Sequence, residues 1–333
     1  MPEKLRIAML SGWHVHAIEY GKTVNSHPDA QVVAVWDENI ERGEKWAKEL
    51  KADFVSDYRK VLSNSQIDGV VVNSATNMHK ELIIAAARAG KHVFTEKVLA
   101  TNLADAREIA KEVKKTKIHF TISFPRRTKG PLLLAKKLVS SGELGDISLL
   151  RIRISHGGSI ANWLPLHFYD AKECGGGAMI DLGAHGMYLS RWLLGKPVKI
   201  TSIFNKLSGR DVEDNAVSVI EFENKALAIN ETSFVSWGGA YSIEIDGTKG
   251  GFMMLNSNDV RVRSGTDKTW LPAGSLPADE VSPIPRWLDG ILTKKNDNMG
   301  MGIEAAVELS EMMEAAYLSH NENRTVNFKE IGE

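Results

Sequence analysis

The chain opens with short apolar runs separated by stretches whose apolar positions recur every three or four residues. Residues 5–10 (Leu-Arg-Ile-Ala-Met-Leu), 31–36 (Gln-Val-Val-Ala-Val-Trp), 69–73, 92–95 and 119–124 read as β-strands. Between them, helical spacing runs through Ala17, Ile18 and Val24, over 40–50, over the Ala-rich 80–89 that Gly90 ends, and over 103–115. Strands alternating with helices predict right-handed βαβ units and a parallel sheet with helices on both faces. The pattern changes near Pro125. After a helix at about 132–140 come 147–155, 198–207, 216–222, 226–235 and 241–246, β-rich segments in which apolar and polar residues alternate. That alternation predicts a large, mainly antiparallel sheet with one face covered. A helix beginning near Asp181 and running to Leu194 interrupts it, residues 270–285 look like a loop, a strong helix covers 303–319, and 325–328 suits an edge strand. The expectation is an α/β chain: a doubly wound parallel sheet over residues 1–124 and an α+β domain over 125–333.

Composition narrows the classes. A chain of 333 residues, 43% hydrophobic and 25% charged, is ordinary for a two-domain globular protein. A formal net charge of -1 gives no electrostatic reason to expect nucleic acid or an anionic membrane as partner. The one cysteine, Cys174, excludes an intrachain disulfide framework and suits a reducing compartment. No signal-peptide pattern or run of roughly 18 apolar residues is present. The expected location is cytoplasmic.

The candidate chemistry lies at strand ends. The first turn, Leu10-Ser11-Gly12-Trp13-His14-Val15-His16, has one of the three glycines of a dinucleotide fingerprint, Gly12 in the middle position. Its backbone can still offer a helix N-terminus to phosphate. His14 and His16 invite a metal reading, but two histidines in a loop without a third ligand nearby are weak support, and no metal is expected. Asp37, twenty-five residues after Gly12, stands where an acid receives the adenosine ribose hydroxyls. Glu38 and Asn39 follow it with no cation beside them, which favours NAD over NADP. Lys97, after Glu96 at the carboxyl end of a strand, can hold a substrate hydroxyl and stabilise the oxygen anion that forms as hydride leaves. After the triglycine 175–177, Asp181 and His185 are spaced i, i+4 and share a helix face, so a carboxylate can orient an imidazole that takes a proton. Each has a plainer alternative: Asp37 as a helix cap, Lys97 in a surface pair, Asp181 as a cap beside a core His185. Cys174 has no evident helper and is read as packing. Together the residues are the parts needed to move a hydride and a proton between a nicotinamide ring and an alcohol.

Four stretches in this order resemble the glucose–fructose oxidoreductase / inositol dehydrogenase / MocA (Gfo/Idh/MocA) family over nearly the whole chain. They are Ala89-Gly90-Lys91-His92-Val93-Phe94-Thr95-Glu96-Lys97, Gly142-Glu143-Leu144-Gly145-Asp146-Ile147, Gly176-Gly177-Ala178-Met179-Ile180-Asp181-Leu182-Gly183-Ala184-His185, and 307–319 followed by Arg324-Thr325-Val326. The resemblance implies an N-terminal Rossmann NAD(P)-binding domain and a C-terminal domain for substrate binding and oligomerisation. It implies oxidation of a secondary hydroxyl on a sugar, sugar derivative or inositol. His185 would be the general base, Lys97 the bridge between cofactor and substrate, and Asp181 the positioning carboxylate. Gly12, Trp13, His14, Val15, Asp37, Ser74, Asn77, His79 and Glu96 would fall at the cofactor. The family's folds suggest a homodimer or homotetramer formed through the C-terminal sheet. Departures are Val98 where the family has proline, Ser74-Ala75 for Thr-Pro, and the thinned glycine fingerprint.

Pocket candidates for a carbohydrate or cyclic polyol are Arg126, Arg127, His156, Asn162, Trp163, His167 and Tyr169, since an indole can stack on the apolar face of a sugar ring. Two other outcomes stay open. The cofactor could be reduced and reoxidised within one turnover, giving cleavage or isomerisation with no net redox change. The fold could also serve as a non-catalytic NAD-binding regulator.

Overall fold

The computed structural model describes residues 4–266, 268–295 and 298–331. Its first part contains β1 (Leu5–Leu10), α1 (Ala17–Ser26), β2 (Ala30–Trp36), α2 (Ile40–Leu50), β3 (Asp53–Phe54), α3 (Tyr58–Ser63), β4 (Gly69–Val72), α4 (His79–Arg88), β5 (His92–Thr95), α5 (Leu103–Lys114) and β6 (Phe120–Ile122). The strands pair in parallel in the order β3-β2-β1-β4-β5-β6. This is the doubly wound dinucleotide-binding order, in which successive strands are added outward on one side of β1 and then, from β4, on the other. Every residue of β4 is buried, as the uninterrupted Gly-Val-Val-Val run requires of a central strand covered on both faces.

The second part holds α6 (Gly130–Ser141), β7 (Ile147–Ser155), α7 (Ala171–Cys174), α8 (Ala184–Leu194), β8 (Pro197–Asn205), β9 (Asn215–Phe222), β10 (Leu227–Ser233), β11 (Ala240–Gly247), β12 (Gly250–Leu255), β13 (Asp259–Ser264) and β14 (Leu271–Pro272). Then come α9 (Pro283–Thr293), α10 (Ile303–Glu322) and β15 (Val326–Asn327). Nine strands form one sheet, β14-β13-β12-β11-β7-β10-β9-β8-β15, antiparallel except for the parallel pair β7–β10. One face is buried through Leu150, Ile152, Ile154, Ile243 and Ile245. The other leaves Ile203, Val217, Val219 and Leu227 exposed.

The chain divides into two compact units: 1–124 with 281–307, and 125–280 with 308–333. The contiguous second segment expected from residue 125 onward is therefore interrupted. Within the stretch that returns to the first unit, α9 puts Trp287, Leu288 and Ile291 into the core formed by Ile7, Met9, Val71 and Phe94. The Trp287 indole donates to the carbonyl of His119 at 3.2 Å. Its ring lies where a side chain at residue 69 would stand, which Gly69 permits. Residues 270–285, expected to be a loop, contain β14 and the start of α9. Proline at the first helical turn costs no hydrogen bond, so Pro283 opens the helix instead of preventing it.

Candidate functional site

In the first unit, β5 ends at Thr95 and delivers Glu96 and Lys97, both buried, to the carboxyl edge of the parallel sheet. Glu96 is the hub there. One carboxylate oxygen accepts from the Tyr20 hydroxyl and pairs with His16 Nδ1 at 2.9 Å, with His14 Nδ1 3.8 Å away. The other oxygen accepts the Lys97 backbone N–H at 2.9 Å. Burial alone would raise the Glu96 pKa, but His14, His16 and the Lys97 ammonium outweigh it and hold the group well below the usual carboxylate range. The peptide between Lys97 and Val98 is cis. An anion thus sits at the foot of the catalytic candidate, gripped by three side chains from the first βα turn and α1.

The donor atoms of His14, His16 and Glu96 lie within 4.8 Å of one another, a set that could hold a cation. The third ligand that the two histidines lack nearby in sequence is thus Glu96, eighty residues on. The Lys97 ammonium beside it, however, would repel a divalent ion, and Glu96 already spends both oxygens on protein donors.

The glycine-poor first turn spends its amides internally. Gly12 N–H donates to Asp37, Trp13 N–H to the Ser11 hydroxyl, His14 N–H to the carbonyl of Asn73, and His16 N–H to His14 Nδ1. Trp13 is buried, while Val15 is exposed. Asp37 is also saturated: it accepts from Gly12, from Asn39 N–H at 2.8 Å, and from Arg42 through Nε and Nη at 2.9 and 2.7 Å. Arg42 reaches Glu38 at 2.5 Å as well. A cation is therefore beside Asp37 after all, one helical turn into α2. This corrects the ground on which the sequence favours NAD. Asn73 fits a bound cofactor better. Just beyond β4, at the crevice between β1 and β4, its amide is wholly buried and neither its oxygen nor its nitrogen has a hydrogen-bond partner among the described residues. A buried amide left in that state calls for a polar ligand. Asn73 is absent from the sequence-based candidates, and its one signal is its place at the end of the strand 69–73.

Ser74, Asn77 and His79 come next along the chain. The Ser74 hydroxyl donates to the carbonyl of Ala75 at 3.2 Å. His79 is fully buried between the carbonyls of Val98 (2.9 Å) and Ser74 (3.2 Å), and burial lowers its pKa. The neutral ring has one N–H, which donates to one of these carbonyls, and the histidine packs between the two loops that carry them. Asn77 lines a cavity of about 440 Å³ with residues of α4 and α5, among them Lys80, Arg88 and Asp105.

In the second unit, Gly175 (φ +85°) turns the chain after α7, and Glu213 pins the glycine-rich stretch beyond it. Glu213 accepts from Gly177 N–H (2.8 Å), Met179 N–H (3.0 Å) and the Tyr317 hydroxyl (2.6 Å). Side chains at 176 or 177 would collide with Tyr317 or with the Glu213 backbone, which explains the glycines. Met179–Gly183 is a π-helical turn leading into α8, so Asp181 belongs to that turn and His185 to the α-helix proper. The two do not share the single regular helix expected, because the wider turn rotates Asp181 relative to His185. His185 is buried, with Nδ1 3.0 Å from the Tyr188 hydroxyl. That oxygen also accepts the Arg126 N–H, and burial raises the Tyr188 pKa, which keeps the phenol protonated. When Nδ1–H donates to this oxygen, the lone pair of the neutral ring is at Nε2.

The proposed pocket residues separate. His156 and Trp163 line one cavity and pack at 4.6 Å between ring centroids. Burial lowers the His156 pKa, against the raising effect of Asp181, and His156 Nδ1 accepts the Gly158 N–H. Arg127 is instead buried beside the rings of Tyr188 and Trp192 and donates to the Tyr188 carbonyl; burial brings its pKa down to about 10. Tyr169 is buried, with its hydroxyl on Ser159 at 2.8 Å. His167 gives its carbonyl to the buried Cys174 thiol. Arg127 and Tyr169 thus each meet a protein partner in this unit, the Tyr188 carbonyl and the Ser159 hydroxyl respectively.

A doubly wound sheet with a buried Glu-Lys pair at its carboxyl edge defines a dinucleotide-dependent class of protein. The chain belongs to the Gfo/Idh/MocA oxidoreductase family. Residues 11–124 match its NAD-binding Rossmann-fold profile and residues 132–253 its C-terminal domain. Among its relatives is the myo-inositol 2-dehydrogenase of Thermotoga maritima, 29% identical over 70% of each chain. The 2,7-anhydro-N-acetylneuraminate hydratase of Escherichia coli is 26% identical over 94% of each. A levoglucosan dehydrogenase solved with NADH and L-sorbose shares the fold, at TM-score 0.83 and 21% identity over 98% of this chain and 99% of that one. Among the described residues no helix is long and apolar enough to cross a membrane.

Proposed function

We propose that the protein transfers a hydride between a nicotinamide cofactor and a secondary hydroxyl of a sugar, sugar derivative or inositol, with Lys97, Asp181 and His185 acting in the same reaction. The observation that carries this reading is the buried Lys97, set at the carboxyl edge of the sheet over an ionised Glu96. The cofactor, when bound, supplies the hydride acceptor or donor. His185 takes the carbinol proton at Nε2, and the Tyr188 oxygen receives its Nδ1–H. Lys97 donates to the carbinol oxygen as negative charge develops on it. Asp181 supports the imidazolium. NAD remains the favoured cofactor on charge: Arg42 meets two carboxylates, Asp37 and Glu38, so a 2′-phosphate would face a net negative site. The exposed Ile203, Val217, Val219 and Leu227 on the open sheet face support self-association there.

Lys97→Met is the test. Turnover of an inositol and sugar panel should fall about a hundredfold or more while NADH affinity stays within about threefold. Wild-type turnover in that variant would overturn the reading. The length of the match to the hydratase favours a second reading, in which the hydride returns to the substrate. Product formed without accumulation of reduced nicotinamide would select it.

A further inference from the structure

Among the described residues of the second unit is a cavity of about 650 Å³, walled by two loops at one end of the nine-stranded sheet. Ser155 ends β7, His156 and Trp163 come from the loop after it, and Trp237 comes from the loop before β11. Tyr241 and Asn256 complete it.

Three features point to the occupant. First, two large indoles stand in the open, Trp163 at 57% exposure and Trp237 at 90%. A soluble chain leaves such rings in a concave wall where they meet an apolar ligand face. Second, the hydroxyls of Ser155 and Tyr241 are buried and have no hydrogen-bond partner among the described residues. Buried hydroxyls left so are costly and call for a polar ligand or water. Third, the walls are fixed beforehand. Ser236 N–H donates to the His156 carbonyl and Asn256 N–H to the Tyr241 carbonyl, and His156 stacks on Phe234 at 5.0 Å. Because Nδ1 of His156 accepts from Gly158, its neutral ring carries the hydrogen on Nε2 and is a donor. Apolar flat surface beside scattered hydroxyl and imidazole donors matches a pyranose ring, whose faces are C–H and whose edge is O–H.

We infer that this cavity is a second carbohydrate-ring subsite, so the preferred substrate is a disaccharide or glycoside instead of a free inositol or monosaccharide. The inference rests on the oxidoreductase reading above for the reacting ring. The lining contains neither Asp181 nor His185, and its link to them is His156, which feels the Asp181 charge. A ring reacting at Asp181 and His185 thus leaves this cavity to the neighbouring ring.

Isothermal titration calorimetry of the full chain with NAD tests it, using myo-inositol, glucose, maltose, cellobiose and trehalose. At least one disaccharide should bind about tenfold more tightly than glucose or myo-inositol. Trp237→Ala, at an exposed position, should erase that gain and leave monosaccharide affinity within about twofold. Tyr241→Phe should weaken the same disaccharide about threefold, with the melting temperature of both variants unchanged. No disaccharide preference in the wild type, or an unchanged preference in Trp237→Ala, would overturn the subsite. Disaccharide binding that persists without any nicotinamide turnover would retire the oxidoreductase reading and leave the subsite standing.

Discussion

The Glu96–Lys97 corner and the cavity around Trp237 are built on opposite principles. At the first, both carboxylate oxygens are engaged, the charge is compensated on several sides, and the carboxylate itself is buried. At the second, two buried hydroxyls lack partners among the described residues and two indoles face solvent. Saturation fixes a group whose position the chemistry needs. Unsatisfied groups mark where something else must complete the structure. The turn that leads to Asp181 and His185 lies between these extremes: Glu213 pins its backbone, and the imidazole of His185 is tied through Nδ1 to the Tyr188 hydroxyl.

That contrast orders the expected effects. His185→Asn removes the base and should lower kcat by about a hundredfold to ten-thousandfold, with the pH dependence of kcat/KM flattened; an unchanged pH–rate profile would break the assignment. Glu96→Gln takes the anion from a buried, paired position. A loss of about 3 kcal/mol is expected, seen as a drop of about 6–12 °C in the melting temperature of the first unit. A drop no larger than in Trp237→Ala would erase the distinction between the two regions.

A smaller, pH-dependent effect belongs to the first unit. Burial holds the pKa of His79 and His119 below the ordinary range, and burial with the nearby His119 charge takes His92 down to about 4. The unfolded chain takes up these protons near pH 6.5, the native chain only at lower pH. Proton uptake therefore favours unfolding. Stability is full above about pH 6.5 and falls as pH drops toward 4. The hydrogen-exchange protection of first-unit peptides, taken relative to the intrinsic rate at each pH, should fall across that window, less so in His92→Gln. Smallest of all, Arg42→Ala should leave NAD affinity within about threefold while weakening NADP about tenfold, since two carboxylates would then face the 2′-phosphate unneutralised. Fluorescence titration with each reduced cofactor reads this directly.

Much of the molecule is legible in the sequence where the physics is local. Apolar runs mark 69–73 and 92–95, period-two alternation marks 147–155, period 3.6 marks 103–115, and the strand ends single out Asp37 and Lys97 as candidates. Long-range chemistry is not legible in that way. The partners of Glu96 sit 76 and 80 residues away on α1 and its preceding turn. Arg42 is not adjacent to Asp37 in the chain, and its guanidinium reaches the carboxylate only across a helical turn. Prolines that resemble loop punctuation hide α9, and a π turn that no residue spacing announces hides the true start of α8. Trp237 and Tyr241 carry no motif; only folding brings them to one wall with His156 and Trp163.

The most direct measurement traces an isotope. With a panel sugar or inositol deuterated at its carbinol carbons, NMR of the reduced nicotinamide should show deuterium at the hydride position, and Lys97→Met and His185→Asn should each lose that transfer. Label released to water by the wild type, or carried across at the wild-type rate by either variant, would contradict the claim that this ammonium and this imidazole serve one hydride transfer.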